Sequence, residues 1–191
     1  MNVKAIIVPG NGNNNPEDKW FPYLARELGK LKIRVINVKF PDAVLARKHF
    51  WLPFLEEKLG TSESTILIGH SSGAVATMRY AETHKILGSV LVAAYITDLG
   101  EHGEKISGYF DGPWRWKDIK NNQKWIVQFA SSDDPYIEIS EAREIHHRLH
   151  TDYHEYTDQG HFGKRDRKIE FPEIVEIVQN KLQLETEIDH P

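Results

Sequence analysis

The stretch Ile66-Leu67-Ile68-Gly69-His70-Ser71-Ser72-Gly73-Ala74 decides how the rest of the chain is interpreted. Its apolar start predicts a short buried strand, and the small residues that follow suit the start of a helix. Gly-x-Ser-x-Gly between a strand and a helix is the nucleophile-elbow pattern, in which a sharp turn exposes the central serine. A Cβ at either glycine would collide with a neighbouring element. The pattern predicts that Ser71 is a nucleophile; the alternative is a serine that caps a helix.

The composition of the 191-residue chain predicts one globular domain and argues against several classes of protein. With 40% hydrophobic and 27% charged residues, we expect a single domain over residues 1–184 and a frayed tail over residues 185–191. A net charge of −4 argues against a nucleic-acid or membrane-surface binder. The chain has no cysteine, which excludes disulfides, thiolate metal sites and a cysteine nucleophile. No apolar run approaches the ~20 residues of a membrane helix, and the first run is too short for a signal peptide, so we expect a cytoplasmic protein, with the nucleus as an alternative.

Strand and helix patterns alternate along the chain, with six strands in all. The predicted strands are residues 3–8, 33–38, 66–68, 88–94, 125–129 and 153–157. The predicted helices start near residue 22, after Asp42 with a break at Pro53, after the serine turn, and near residues 114, 140 and 171. Such alternation predicts an α/β fold, a six-stranded parallel sheet flanked by helices on both faces. Ligands bind at the carboxyl ends of the strands of such a sheet, so catalytic residues should follow strands.

A serine nucleophile needs a base, and the base needs an orienting acid. In the α/β-hydrolase order Ser, Asp or Glu, His, an acid should follow a later strand and a histidine should come last. His161 follows the sixth predicted strand, and Asp133 and Asp134 both follow the fifth. We favour Asp134 because Pro135 gives it a rigid, extended exit. Asp98, after the fourth strand, is a further candidate for the acid.

The other histidines are in poorer positions for this role. His70 adjoins the nucleophile, but we expect the tight turn to point it away from Ser71. Three further histidines, His146, His147 and His150, resemble a metal cluster. We predict no metal there, because Ile145 and Leu149 claim the core side of that helix and no carboxylate ligand is evident.

Acyl transfer builds negative charge on an oxygen, and backbone N–H groups must already point towards it. We assign one such N–H to Ser72, after the nucleophile, and the other to Asn11, after the first strand. Gly10 and Gly12 would let that backbone approach closely. The alternative is a phosphate-binding glycine loop, but the third glycine of a dinucleotide fingerprint and the lysine of a P-loop are missing.

Segments spread over nearly the whole chain resemble the retinoblastoma-binding protein 9 family of small serine hydrolases, which has the α/β-hydrolase fold. The matching segments are residues 8–12, 51–54, 69–74, 78–84, 108–110, 113–114, 133–135 and 160–162. The resemblance implies a small α/β-hydrolase with a triad of Ser71, Asp134 and His161. It also implies hydrolysis of small ester-like or amide-like substrates without a cofactor.

One departure from the family concerns a protein partner. The family name refers to a Leu-x-Cys-x-Glu motif that the retinoblastoma pocket reads. The corresponding segment here is Leu59-Gly60-Thr61-Ser62-Glu63, with threonine in place of the cysteine. We therefore do not expect this chain to bind that pocket.

The leading functional prediction is a metal-independent serine hydrolase that cleaves a small ester, thioester or amide through an acyl-enzyme. The alternatives are a non-catalytic interaction protein on a hydrolase fold and an acyltransferase that uses the same acyl-enzyme. We expect no nucleic-acid or membrane partner.

Two loops near the predicted site remain. Residues 95–113 contain four glycines, so we expect an irregular segment that covers the site with aromatic residues such as Tyr95, Tyr109 and Phe110, and no separate lid domain. Residues 164–168 form a basic run directly after the base. This run is a solvated loop, a nuclear-targeting signal, or a set of rim cations that favours anionic substrates.

Overall fold

The computed structural model describes residues 3–163 and 168–188, the last five by their backbone alone. It contains one six-stranded, fully parallel sheet, as the alternating pattern predicts. The strands are β1 (Lys4–Val8), β2 (Arg34–Ile36), β3 (Thr65–His70), β4 (Gly88–Val92), β5 (Trp125–Ser131) and β6 (Asp152–Tyr156). Their order across the sheet is β2-β1-β3-β4-β5-β6. The central strands β3, β4 and β5 are buried along their whole length, which explains their predominantly apolar sequences.

Helices connect the strands and cover both faces of the sheet. The helices in the described part of the chain are α1 (Phe21–Lys30), α2 (Lys48–Pro53), α3 (Ser72–Ala81), α4 (His102–Lys105), α5 (Trp116–Asn121), α6 (Ile139–Leu149) and α7 (Pro172–Ile188). The chain moves one way across the sheet from β1 to β2 and the other way from β3 to β6, so right-handed crossovers place the connecting helices on opposite faces. Accordingly α1 packs on α7, while α3 packs on α2 and α5.

The direction in which the chain adds strands across the sheet reverses between β1 and β3, and this point locates the site. In an open parallel sheet, the loops that leave the strands at such a reversal diverge and create a crevice. The segments after β1 and β3 carry Asn11 and Ser71, and those after β5 and β6 carry Asp134 and His161. The four predicted positions therefore lie at the same edge of the sheet.

The second helix differs from its prediction. Asp42 does not cap it; the residue lies in a turn, with φ +48°, and accepts hydrogen bonds from the backbone and guanidinium of Arg47. Helix α2 begins only at Lys48 because the aspartate satisfies this turn instead of a helix end. The predicted break at Pro53 is present: the α-helix ends there and continues as a π-helical turn, Phe54–Lys58. Proline has no N–H for the helical ladder, so the hydrogen-bonding pattern changes at this residue.

Other boundaries shift by a few residues. Strand β2 has only three residues, and β5 extends two residues beyond its predicted end, to Ser131. Residues 95–113 are mostly irregular, as predicted, apart from the short helix α4.

Two predictions fall wholly or partly outside the described residues. Helix α7 reaches Ile188, and residues 189–191 of the predicted tail lie outside the described part; the division at residue 184 stays a prediction. Residues 164–167 of the basic run also lie outside it. In the described part of the chain, none of the helices combines the length and the apolar character that crossing a membrane requires.

Candidate active site

Ser71 occupies a sharp turn between β3 and α3. Its backbone has φ +56° and ψ −124°, a conformation that is strained for a residue with a side chain. Such strain costs of order 1–3 kcal/mol and persists only where the surroundings impose it. Here a hydrogen bond from the Ser71 N–H to the Val92 carbonyl (2.9 Å) holds the turn against β4. The serine is 9% exposed, at the floor of a cavity.

The glycines of the motif are required by close approaches of the backbone. A Cβ on Gly69 would lie 2.6 Å from the Cα of Ala74, inside the first turn of α3. A Cβ on Gly73 would lie 2.1 Å from the Val8 carbonyl oxygen, so this glycine lets α3 contact the end of β1. These distances bear out the steric explanation drawn from the sequence.

The structure brings His161 and Asp134 together. His161 Nδ1 lies 2.7 Å from Asp134 Oδ2, and the two side chains are 16% and 4% exposed. Because a carboxylate accepts, Nδ1 carries the hydrogen and Nε2 is left as the basic nitrogen. The other carboxylate oxygen, Oδ1, accepts from the N–H groups of Tyr136 and Ile137 (2.9 and 3.2 Å). The aspartate is thus fixed at both oxygens.

Asp133 makes a different set of contacts. Its Oδ1 accepts from the Ser131 hydroxyl and from the Gly160 N–H (2.9 Å), directly before His161. These hydrogen bonds, the Ser131 hydroxyl first, hold the pKa of Asp133 below its usual value. The Ser131 hydroxyl also accepts from the Gln159 N–H (3.0 Å). Asp133 therefore ties the loop after β5 to the loop after β6.

His70 does not simply point away from the nucleophile, as the sequence suggested. Its ring lines the same cavity as Ser71 and lies 4.9 Å from the His161 ring, centre to centre. Its Nε2 is 2.8 Å from the His161 carbonyl oxygen, so Nε2 is the donor and Nδ1 accepts from Lys19 Nζ (3.2 Å). Burial, followed by the nearby Lys19, lowers the pKa of His70 well below its ordinary value. Neutral His70 therefore supports the backbone of His161 through a hydrogen bond.

The loop after β1 is held by its own side chains and by a neighbouring turn. Asn14 Nδ2 donates to the carbonyls of Gly10 (3.1 Å) and Asn11. The Gly12 and Asn13 N–H groups donate to Val44 and Ala43 (3.1 and 2.8 Å). Within residues 3–163 and 168–188, no acceptor takes the backbone N–H of Asn11. The backbone is therefore fixed while this donor stays unused.

A buried carboxylate that the sequence did not single out, Glu104, connects this loop to the elbow. Glu104 Oε1 accepts from Asn11 Nδ2 at 2.7 Å, and the Ser72 hydroxyl lies 3.0 Å from the Tyr95 hydroxyl. Burial raises the pKa of Glu104, while hydrogen bonding to the hydroxyls and to the Asn11 amide opposes the shift. Burial and the charge of Glu104 likewise raise the pKa of Tyr95 well above its usual value. Nothing local in the sequence marks Glu104, since it follows no strand and belongs to no motif.

Arg79 anchors residues 95–113, which we call the covering segment, to α3. This side chain is 5% exposed; it donates to the carbonyls of Tyr109 (2.7 Å), Gly112 (2.9 Å) and Pro113 (3.1 Å). Its guanidinium lies 3.7 Å from the centre of the Trp114 ring. Glu82 neutralises it at 2.7 Å. Three backbone acceptors on one buried cation fix the end of the covering segment to the helix that follows Ser71.

The predicted nucleophile and base line a cavity of about 550 Å³. Its walls include Asn11, Lys19, Ser71, Glu104 and His161. Of the aromatic residues predicted to cover the site, Tyr95 lines the cavity, whereas Tyr109 is buried in the core. Tyr136, in the loop after β5, also lines the cavity. Such a volume suits a small molecule.

No set of three or more metal-ligating side chains comes together in the described part of the chain. His146, one of the three clustered histidines, stacks on Tyr153 with ring centres 4.8 Å apart. Its Nδ1 lies 3.1 Å from the Thr151 hydroxyl. The ring is therefore engaged in packing and hydrogen bonding.

Comparisons with known proteins bear on the family of this chain and on its fold. The model of the serine hydrolase family matches residues 5–180. Serine hydrolase RBBP9 of Rattus norvegicus is 42% identical over 182 residues, which cover 94% of this chain and 96% of the rat protein. These matches bear out the resemblance on which the sequence prediction drew.

Two solved structures show the same fold at low sequence identity. The ydeN gene product of B. subtilis superimposes with a TM-score of 0.86 at 20% identity, covering 95% of this chain and 99% of that one. The Pyrococcus furiosus esterase Pf2001 gives a TM-score of 0.65 at 18% identity, with 96% and 81% covered. Both likenesses concern the fold alone.

Proposed function

Because the chain belongs to the serine hydrolase family, we propose that it cleaves a small ester, thioester or amide through an acyl-enzyme. In this proposal Ser71 is the nucleophile, His161 the general base and Asp134 the acid that orients the histidine. The backbone N–H groups of Asn11 and Ser72 form the oxyanion hole. We further propose that the reaction needs no metal, and that the protein works in the cytoplasm or nucleus.

The observation that carries the proposal is the 2.7 Å contact between His161 Nδ1 and Asp134 Oδ2 beside the cavity that holds Ser71. The contact leaves Nε2 of the histidine as the nitrogen that can take a proton. The strained backbone of Ser71 presents its hydroxyl to the same cavity. A nucleophile, a base and an orienting acid are the three groups that activation of a serine requires.

The first half of the reaction forms the acyl-enzyme. Ser71 Oγ attacks the substrate carbonyl carbon while its proton passes to His161 Nε2. The carbonyl oxygen becomes an oxyanion, which the N–H groups of Asn11 and Ser72 stabilise by hydrogen bonding. Asp134 stabilises the imidazolium without taking the proton. The tetrahedral intermediate then collapses, and His161 gives the proton to the departing alcohol, thiol or amine.

The second half uses water in place of the leaving group. Water loses a proton to His161 Nε2 and attacks the acyl carbon, which gives a second oxyanion in the same position. Collapse of this intermediate releases the carboxylic acid and returns the proton to Ser71 Oγ. The cavity of about 550 Å³ favours compact acyl groups over long lipid chains.

Labelling with a fluorophosphonate probe tests the proposal directly, because such a probe phosphonylates only an activated serine. We expect one adduct by intact mass, mapped to Ser71, and none in Ser71→Ala. The variant should also lose turnover of 4-nitrophenyl acetate by roughly 10⁴- to 10⁶-fold, on the scale of other triads.

Ser64→Ala is the matched control, since Ser64 lies in the turn before β3. It should label and turn over like the wild type. An adduct on Ser72, or active protein without any adduct, would contradict the assignment of Ser71.

A further inference from the structure

A lysine in the wall of the cavity has no role in the proposed reaction. Lys19 lies just before α1 with a φ of +56°, a strained conformation for a residue with a side chain. It lines the cavity that contains Ser71 and His161. A partly buried charge in such a place calls for an explanation, because buried cations are normally paired with anions.

The protein does not supply the counter-charge. Within the described residues Lys19 forms no ion pair, and its hydrogen-bonding partner is the neutral His70, at 3.2 Å. The adjacent Asp18 uses Oδ2 to accept from the Asn15 N–H (2.8 Å). Burial lowers the pKa of Lys19 to about 8, and Asp18 opposes this shift. The lysine is therefore protonated about ten to one at pH 7.

Two carboxylates across the cavity, Glu101 and Glu104, do not replace the missing partner. Glu101 is exposed at the rim. Glu104 is held by the Asn11 amide, and burial raises its pKa. An ammonium has three donors, and His70 takes one of them. The remaining donors can serve a ligand.

We propose that Lys19 binds a carboxylate on the substrate, so that the enzyme prefers esters or amides that carry an anionic group in addition to the scissile bond. This inference rests on the proposed function and specifies its substrate class. It assigns the preference to a side chain inside the cavity and not to the basic run at residues 164–168. The carboxylate belongs either to the acyl part or to the leaving group, and the experiment separates the two.

Two matched pairs of esters test the proposal. For the acyl part, mono(4-nitrophenyl) adipate is compared with neutral 4-nitrophenyl hexanoate, and for the leaving group, 4-acetoxybenzoate with 4-acetoxybenzamide. Each kcat/KM is divided by the uncatalysed rate constant of the same ester. A charge-assisted hydrogen bond at a partly solvated site should favour the anionic member of one pair by roughly tenfold.

In Lys19→Met this ratio should fall to about one. Lys117→Met removes a positive charge from the exposed side of α5 and should leave the ratio and the activity unchanged. A ratio that stays high in Lys19→Met but falls when Lys164, Arg165, Arg167 and Lys168 become glutamine would overturn the proposal. So would hydrolysis of the neutral esters with no preference in either pair, and the proposed function would then stand.

The pH dependence of the wild-type ratio provides a second measurement that needs no variant. Lys19 loses its charge as pH rises through about 8, so the preference should be present at pH 7 and largely lost at pH 9.5. The other titratable groups around it are Asp18, His70, His161, Glu101, Glu104, Tyr95 and Tyr136. The general base acts on both esters and cancels in the ratio. A ratio that does not change over this range would contradict the proposal, and a failure to turn over or label at all would instead defeat the proposed function.

Discussion

The two walls of the cavity are built differently. On one wall, the loops after β5 and β6 carry Asp134 and His161. Backbone N–H groups hold Asp134, Asp134 holds His161, and Asp133 ties the two loops together. On the other wall, side chains of the covering segment, Tyr95 and Glu104, reach across to Ser72 and Asn11. The donors on the first wall are largely backbone N–H groups, whereas the second wall is held by hydrogen bonds between side chains. We call the first the sheet-built wall, because its loops leave β5 and β6, and the second the covering wall.

Because of this difference, we expect the two walls to respond differently to substitution of their side chains. A carboxylate fixed by backbone donors keeps its place as long as the sheet is folded. A buried carboxylate fixed by an amide and hydroxyls depends on each of those side chains, and its loss leaves several polar groups without partners. Substitutions of Asp134, Asp133 and Glu104 test this expectation.

The largest expected effect lies on the sheet-built wall, in the contrast between the two aspartates. Asp134→Asn should lower kcat by roughly 10³- to 10⁴-fold. The amide oxygen would stay with the N–H groups of Tyr136 and Ile137, so the NH2 group would face His161 Nδ1 and impose the wrong tautomer. Asp133→Asn should cost less than about tenfold, since it weakens only the link between the loops. Turnover of 4-nitrophenyl acetate by folded protein measures both. If the Asp133 change is the more damaging, Asp134 is not the orienting acid.

A smaller effect is expected on the covering wall. Glu104→Ala should lower kcat by roughly 10- to 100-fold with little change in KM, because the Asn11 loop and the elbow lose their common partner and the oxyanion donors shift. Glu104→Gln keeps an acceptor for the Asn11 amide and should recover most of the loss. The kcat and KM of the two variants decide the matter: equal losses would mean that the charge, and not the position, is what matters.

The smallest expected effect is a change with pH in the free energy of unfolding. Since burial raises the pKa of Glu104 in the folded protein, the folded state binds the proton more tightly than the unfolded chain does. The wild type should therefore lose stability relative to Glu104→Gln as pH rises from the unfolded pKa of about 4.5 through the raised folded value. Urea unfolding of both proteins at pH 4 and pH 7 measures the change. A difference that is equal at the two pH values would show that Glu104 is not destabilised as an anion.

The sequence predicted the sheet-built wall well, and for a physical reason. Strand periodicity and the elbow motif place Ser71, Asp134 and His161 after known strands, and parallel strands deliver their ends to one edge. The choice of Asp134 over Asp133 followed from the position of Pro135. In the structure, Asp134 contacts His161. The roles of these residues stay proposals.

The contacts of the covering wall and of Lys19 could not be predicted from the sequence. Glu104 and Lys19 lie in segments without periodicity, and their meaning depends on contacts across 93 and 51 positions of the chain. The hydrogen bond made by His70 was not predicted for a similar reason, since the His161 carbonyl that accepts it comes from a distant loop. Asp42 shows the same limit on a local scale, because a side chain that can cap a helix can also close a turn.

The Arg79 anchor has a consequence for how substrates enter. This buried side chain holds three carbonyls near the end of the covering segment against α3, the helix that follows Ser71. We therefore expect this end of the cover to keep its place relative to the nucleophile when a substrate binds. Substrate size, and not a large opening movement, would then limit which acyl groups enter the cavity.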